Sequence, residues 1–159
     1  MKQLIALCVV CSLGWAECVV SQTRFVKKGN EVKDTKTTLI WQRCPVGQTW
    51  VEKKGCIGSM RLMNLQEATS YIQAQPLSWR IPTIEELGSL VEPSCKTPVL
   101  NATLFGKTEE TGEGAIFLST TLYLEGYESM PSLYYTIDFM RGDVDAHTKS
   151  FVGALRLVR

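Results

Sequence analysis

The sequence predicts an α+β domain with a twisted, mostly antiparallel sheet, two flanking helices and long loops. Three observations predict it: β-branched and aromatic runs near the start, two helical segments in the middle, and alternating apolar runs near the end. This order favours α+β over an alternating α/β fold. The chain has 159 residues, 45% of them apolar and 21% charged, which suits a single folded domain.

Residues 1–16 (MKQLIALCVVCSLGWA) have the pattern of a secretory signal peptide. Lys2 precedes an uncharged apolar run, and Gly14 and Ala16 place small residues before a cleavage site that follows Ala16. The run is shorter than the roughly 20 residues that span a bilayer, and no later run is longer, so no membrane span is predicted. The prediction is a single mature domain of residues 17–159, exported to the periplasm or the cell surface.

The mature chain is predicted to begin with a meander of two or three strands. Residues 24–26 and 38–41 are the β-prone runs, and residues 28–30 (KGN) are a turn signal between them. Apolar residues at three- and four-residue steps then predict an amphipathic helix over residues 62–74, which ends before Pro76.

A second helix is predicted to begin after Thr83. Thr83 and Glu86 have the spacing of a capping box, in which each side chain bonds the other residue's backbone N–H. Pro93 is predicted to stop this helix, whose buried residues are expected to be Leu87, Leu90 and Val91.

Three late strands are predicted over residues 115–123, 133–140 and 151–158, separated by polar, glycine-bearing loops. The loops span residues 106–114, 125–132 and 141–150, and loops of this kind often carry the contacts of binding domains. Aromatic residues on the periodic faces are predicted to pack in the core. They are Phe25, Trp41, Trp79, Tyr135 and Phe139.

Cysteine content predicts two disulfides, because an even number remains after cleavage in an exported chain. The four are Cys18, Cys44, Cys56 and Cys95. Three pairings are open. A short turn-rich segment makes Cys44–Cys56 the natural local pair, which leaves Cys18 for Cys95. A zinc site made of the four thiolates is the disfavoured alternative, since the sequence has no CxxC pair.

Charge and histidine content exclude some function classes. Lys2 is the only charged residue before position 17, so cleavage reduces 17 basic residues to 16, which equals the 16 acidic ones. No nucleic-acid partner is therefore predicted, because phosphate backbones require a basic surface. His147, the sole histidine, is predicted to lie in a solvated loop, which argues against Ser–His or Cys–His catalysis.

Candidate ligand contacts lie in the late loops. Tyr127 has the setting of an exposed tyrosine that stacks on a sugar or anchors a protein contact, with Glu125 and Glu128 beside it. The later loop adds Arg141, Asp143 and Asp145. We interpret Arg141-Gly142-Asp143 as a turn rather than an integrin motif, and the glycosylation sequon at Asn101 as structural.

Acidic residues also cluster in these loops and at a neighbouring strand end, at Glu109, Glu110, Glu113, Asp138, Asp143 and Asp145. Solubilising charge is the favoured interpretation, because nothing in the sequence specifies two carboxylates facing each other at the roughly 5–9 Å that glycosidases need. Oxygen-rich loops also suit Ca²⁺, which is kept as the alternative. No other cofactor is predicted.

An ordered series of segments resembles the Lcl C-terminal domain family, a bacterial family of unknown function named after a collagen-like surface adhesin. The segments are TLIWQRCPVGQTW (38–50), LQEA (65–68), WRIPTIEELGSLVE (79–92), LNATLF (100–105), STTLY (119–123), YTIDFMRGDV (135–144) and ALRLVR (154–159). The resemblance implies a C-type-lectin-like fold, similar to sulfatase-modifying domains, with paired terminal strands. It also implies structural roles for Trp79 and Arg80 at the second helix and for Arg156 in the terminal strand. The chain departs from the family pattern at Phe117-Leu118 and at residues 76–78.

The sequence thus predicts a non-enzymatic, disulfide-stabilised binding domain of the bacterial cell envelope. It would act in adhesion or as an accessory of a surface assembly such as pili, with an envelope or surface protein, or a glycan, as partner. The alternative is a periplasmic inhibitor or immunity protein against an envelope-directed toxin. An enzyme related to the sulfatase-modifying group would require free thiols.

Overall fold

The computed structural model describes residues 23–75, 78–125 and 128–159 and has a mixed α+β fold, as predicted. All strand pairs between named strands are antiparallel, but they form three small sheets rather than one: β1-β2-β3, β4-β5 and β6-β7-β8. The strands are β1 (Phe25–Lys28), β2 (Glu31–Asp34), β3 (Ile40–Gln42), β4 (Thr49–Val51), β5 (Gly55–Ile57), β6 (Ile116–Glu125), β7 (Glu128–Asp138) and β8 (Asp143–Thr148). The helices are α1 (Leu65–Gln73), α2 (Ile84–Gly88) and α3 (Ala102–Phe105).

The predicted meander contains three strands, with a two-residue turn between β1 and β2. Gly29 in this turn has a φ of 59°, which glycine adopts without the steric cost of a Cβ atom. Three predicted core residues are buried, namely Phe25, Trp41 and Phe139. Trp79 and Tyr135 are half-buried.

Helix α2 begins as its capping box predicts. The Thr83 hydroxyl accepts from Glu86 N–H at 3.2 Å, and the Glu86 carboxylate accepts from Thr83 N–H at 2.9 Å. Arg80 adds two hydrogen bonds to Glu86 and thereby lowers the pKa of that carboxyl, against the effect of burial. The helix ends at Gly88, so Pro93 is not what stops it; Leu90 and Val91 follow the helix.

Helix α1 starts three residues later than predicted. Asn64 accepts from Glu67 N–H and the Glu67 carboxylate accepts from Asn64 N–H, both at 2.9 Å, which makes a second capping box. Met63, which the prediction placed in the helix, precedes it, is buried and pairs with Gly153. Leu62 extends the apolar period upstream without belonging to the helix, so periodicity alone misplaced the start.

Helix α3 was not predicted. Asn101 caps it by accepting from Thr103 N–H at 2.9 Å and from Leu104 N–H at 3.3 Å. Asn101 is only 6% exposed, so its side chain has a structural role and the sequon is not presented to solvent.

The C-terminal segment is not the single alternating strand that the sequence predicts. Residues 153–158 are all buried and make isolated bridges to several segments, among them Trp41, Met63, Arg80 and Phe117. Ala154 and Val158 lie in one core cluster, whereas Leu155 and Leu157 lie in the other. The alternation in sequence therefore separates two cores, not core from solvent. Hydrogen bonds between Ile40 and Arg159 join this segment to β3.

Two predicted loops are largely strand. Residues 143–148 form β8, and residues 125–132 contribute the ends of β6 and β7. β8 escaped detection because it is an edge strand with polar residues and no fully buried side chain. Residues 106–114 contain no helix or strand, which confirms that loop. No helix in the described part of the chain is long and apolar enough to cross a membrane.

Candidate functional site

The predicted contact residues do not form one site. Glu125 and Glu128 pair at the hairpin end of β6 and β7, while Asp138 pairs with Asp143 at the opposite end of β7. A strand of that length separates its ends by roughly 30 Å. Tyr127 lies outside the described residues. The sequence therefore grouped residues that the fold keeps apart.

At the β7–β8 corner, Arg141 and four carboxylates line a hollow of about 220 Å³. The carboxylates are Glu113, Asp138, Asp143 and Asp145. Arg141 donates to the Asp143 carboxylate at 2.9 Å and lies 2.9 Å from that of Asp138. These contacts support interpreting residues 141–143 as a turn. Asp145 is exposed. Across the described ranges, no group of three His, Cys, Asp or Glu side chains is arranged to hold a metal ion.

Asp138 has a structural role. It is 5% exposed, and one carboxylate oxygen accepts from the backbone N–H groups of Ala115 and Met140, each at 2.9 Å. A Cβ atom on Gly114 would lie 2.7 Å from this carboxylate, so glycine is required there. Asp138 thus ties the start of β6 to the turn after β7.

The prediction of a solvated loop histidine is wrong. His147 lies on β8, is half-buried, and packs its ring on Phe151 with 3.8 Å between ring centroids. Its Nδ1 is 2.9 Å from the Thr136 hydroxyl. The Phe151 and Thr136 contacts could not be inferred from the charged residues that surround His147 in sequence.

Sequence reasoning missed a positively charged cleft of about 510 Å³ on another part of the molecule. We call it the basic cleft. It is lined by four exposed lysines, Lys27, Lys53, Lys54 and Lys107, and by half-buried Trp50 and buried Arg43. Among the residues that the structure describes, Glu52 is the single carboxylate in its lining, and it accepts from the Trp50 indole N–H at 3.3 Å.

Three elements position the cleft lysines. Lys27 lies on β1, Lys53 and Lys54 form the turn between β4 and β5, and Lys107 follows α3. The Cys44–Cys56 disulfide joins the β4–β5 hairpin to the chain that follows β3, which confirms the predicted local pair. Gly106 packs so closely that a Cβ atom would lie 2.5 Å from the Cys56 sulfur. The second predicted disulfide is supported at one end, since Cys95 is disulfide-bonded, while Cys18 lies outside the described residues.

Arg43 forms the floor of the cleft and connects its walls. It donates to the carbonyls of Leu104 at 2.8 Å, Thr103 at 3.0 Å and Gly29 at 3.2 Å. Its guanidinium carbon lies 3.1 Å from the centroid of the Trp50 ring, a cation–π contact. Burial lowers the pKa of Arg43, opposed by nearby Glu52, and the group stays cationic at neutral pH.

Arg156 lies behind Arg43 in the core. It is 2% exposed and donates to the carbonyls of Gln42 at 2.9 Å, Phe105 at 3.4 Å, and Arg43. Burial lowers its pKa to about 9, so it is charged at neutral pH. In the ranges that the structure describes, no carboxylate lies within ion-pair distance of Arg43 or Arg156. The two buried cations therefore add to the positive potential of the cleft.

The basic cleft was difficult to predict because its lysines come from three distant segments, each with an ordinary number of charges. Lys53 and Lys54 are adjacent in sequence, but Lys27 and Lys107 join them only in the folded chain. The near-neutral total charge, +1, also hid the local concentration of cations.

The comparison with protein families agrees with the predicted resemblance. No curated protein matches this sequence. The model of the Lcl C-terminal domain matches residues 30–159, which is most of the chain and includes the cleft except Lys27 and Gly29. The chain belongs to the Lcl C-terminal domain family.

Proposed function

We propose that this chain is an exported, non-enzymatic binding domain that acts at the bacterial cell envelope, in adhesion or as an accessory of a surface assembly such as pili. We further propose that its binding face is the basic cleft and that its ligand is an acidic glycan. The observation that carries this proposal is the concentration of four lysines and Arg43 around one carboxylate, in a protein of net charge +1.

The chemistry of the cleft favours an acidic ligand over a neutral one. Lysine ammonium groups are mobile point charges, which suit the sulfate, phosphate or carboxylate groups of a flexible polymer. Arg43 covers one face of the Trp50 ring, which reduces the aromatic surface left for stacking on a neutral sugar. An open cleft flanked by cations also attracts a polyanion over distance.

Export is part of the same proposal. The leader-like residues 1–16 and the Cys44–Cys56 disulfide support a periplasmic or cell-surface location, where disulfides persist. A fold in the C-type-lectin-like class would suit a scaffold that presents a binding face, and the mixed sheets and short helices are compatible with it.

One observation favours the alternative, an inhibitor or immunity protein. The end of the β6–β7 hairpin exposes Leu124, at 53%, beside the acidic Glu125, as an element inserted into the cleft of a toxin would. Deleting the gene separates the two functions. Reduced surface attachment supports the binding domain, whereas normal attachment with new sensitivity to neighbouring cells supports the inhibitor.

Reversing two charges in the cleft tests the proposed ligand. We expect Lys53→Glu/Lys54→Glu to weaken binding to immobilised dextran sulfate at least about tenfold, since two attractive contacts become repulsive. Surface plasmon resonance measures the affinity, with uncharged dextran as the reference ligand.

The matched control is Lys36→Glu/Lys96→Glu, which changes the net charge equally at exposed lysines outside the cleft. We expect this control to bind within about twofold of the wild type at moderate salt. Equal weakening in both variants would mean that total charge, not the cleft, binds the polymer.

A further inference from the structure

Opposite charges are segregated on this nearly neutral protein. The basic cleft carries mainly positive charge, and the β7–β8 corner carries mainly negative charge. We call the second surface the acidic face and define it by four exposed carboxylates near Arg141. They are Glu110, Glu113, Asp143 and Asp145. The residues that line the two surfaces do not overlap, so one molecule can present both at once.

The acidic face is built to make side-chain contacts. It includes β8, the edge strand of its sheet, where the Asp143 side chain is 66% exposed and Asp145 is also exposed. The Asp145 carboxylate accepts from the Ala146 N–H at 2.7 Å, which occupies a backbone donor of β8. Together with the charges, this contact disfavours addition of another strand at β8.

One cation lies within the acidic face, and it is already paired. Arg141 contacts Asp143 and Asp138, each at 2.9 Å. The Asp143 hydrogen bond is the largest cause that raises the pKa of Arg141, followed by the charge of Asp138, and nearby Glu110 contributes least. Because these carboxylates outnumber the one guanidinium, the surface stays negative overall.

We propose that the basic cleft also binds the acidic face of a second copy of this chain, in a head-to-tail contact. Of the described residues, five cations and one carboxylate line the cleft, and four carboxylates and one guanidinium line the corner hollow, so the two surfaces are complementary in charge. The inference rests on the proposed function in one respect, that the cleft accepts acidic groups.

A head-to-tail contact has two consequences. When two copies are joined head to tail, one copy still has an unused cleft and the other an unused acidic face. Association therefore continues into rings or chains. An acidic glycan and a second copy would also compete for the same lysines. Soluble polyanion is therefore expected to dissociate the assemblies, and assembly is expected to weaken glycan binding at high protein concentration.

Sedimentation equilibrium of the mature chain tests the proposal. At low ionic strength, we expect the weight-average mass of the wild type to exceed that of a monomer and to rise with concentration. At about 0.5 M salt, screening should return it to the monomer. A wild type that stays monomeric at low ionic strength would overturn the proposal.

Complementary variants test the pairing itself. Lys53→Glu/Lys54→Glu removes the basic surface and Asp143→Lys/Asp145→Lys removes the acidic one, so each variant alone should be monomeric. An equimolar mixture of Lys53→Glu/Lys54→Glu with Asp143→Asn/Asp145→Asn should form a one-to-one dimer that does not grow further, because only one complementary pair of surfaces remains. A mixture that stays monomeric contradicts the proposal, as does association of either variant alone.

Two further measurements separate this inference from the proposed function. Asp143→Asn/Asp145→Asn keeps side-chain shape and should also be monomeric, which guards against misfolding of the lysine variant. This variant should bind dextran sulfate at least as well as the wild type. If the wild type binds dextran sulfate but is monomeric, only the head-to-tail contact is refuted. If the asparagine variant no longer binds dextran sulfate, the assignment of the glycan to the basic cleft is refuted.

Discussion

Replacing Arg156 with methionine is expected to reduce the free energy of unfolding by about 3 kcal/mol, because buried carbonyls lose their charged donors. Arg156 bridges the carbonyls of Gln42, Arg43 and Phe105, and its guanidinium lies 5.0 Å from the Phe105 ring centroid. Methionine fills much of the volume but donates no hydrogen bond. Urea unfolding followed by circular dichroism measures the loss.

Arg61→Met is the control for that substitution. Arg61 is exposed and lies over Tyr71 at 5.5 Å, so its loss should change stability by no more than about 0.5 kcal/mol. An Arg156→Met protein as stable as the wild type would show that removing the buried charge compensates for the unsatisfied carbonyls, and that Arg156 does not stabilise the floor of the cleft.

Asp34→Ala is expected to cost about 3 kcal/mol, because it leaves a partly buried guanidinium with only a longer ion pair, to Glu92 at 3.7 Å. Arg24 contacts the Asp34 carboxylate at 2.7 and 3.0 Å, and also donates to the Ser89 carbonyl at 2.6 Å. Asp34 therefore helps connect β2 to the end of α2. Asp143→Ala removes an exposed ion pair and should leave the free energy of unfolding almost unchanged in the same assay. Equal losses would contradict the role of Asp34.

The stabilisation from Asp34 is expected to depend on pH. Burial acts to raise the pKa of Asp34, but Arg24, the Lys36 N–H and the Thr37 hydroxyl together lower it below its ordinary value. A carboxyl with a lowered folded pKa stabilises fully above its unfolded pKa and loses that contribution as pH falls through the folded value. The difference in stability between the wild type and Asp34→Asn should therefore shrink below about pH 4.

The features predicted correctly from sequence are those that depend on residues close together in the chain. The α2 start followed from Thr83 and Glu86, since a capping box involves only residues three apart. The Cys44–Cys56 pair followed from a short turn-rich segment. The three-sheet arrangement did not follow, because it depends on residues 153–158 pairing with segments that are distant in sequence.

The basic cleft was missed for the same physical reason. Arg43 connects the segments that carry Lys27 and Lys107, because it bonds carbonyls of the β1–β2 turn and of α3, which are far apart in sequence. The predicted loops were chosen for polarity and glycine, properties that β8 shares although it is a strand. Composition indicates exposure, whereas convergence of charges requires the tertiary fold.

Acidic glycans should bind in the basic cleft, and nuclear magnetic resonance tests this claim directly. Adding dextran sulfate to ¹⁵N-labelled protein should shift the Trp50 indole signal and the amides of Lys53, Lys54 and Lys107, because these groups line the cleft. Uncharged dextran should leave them in place. Saturable binding with an unchanged Trp50 indole, and shifts confined to the hairpin around Glu125, would contradict the claim.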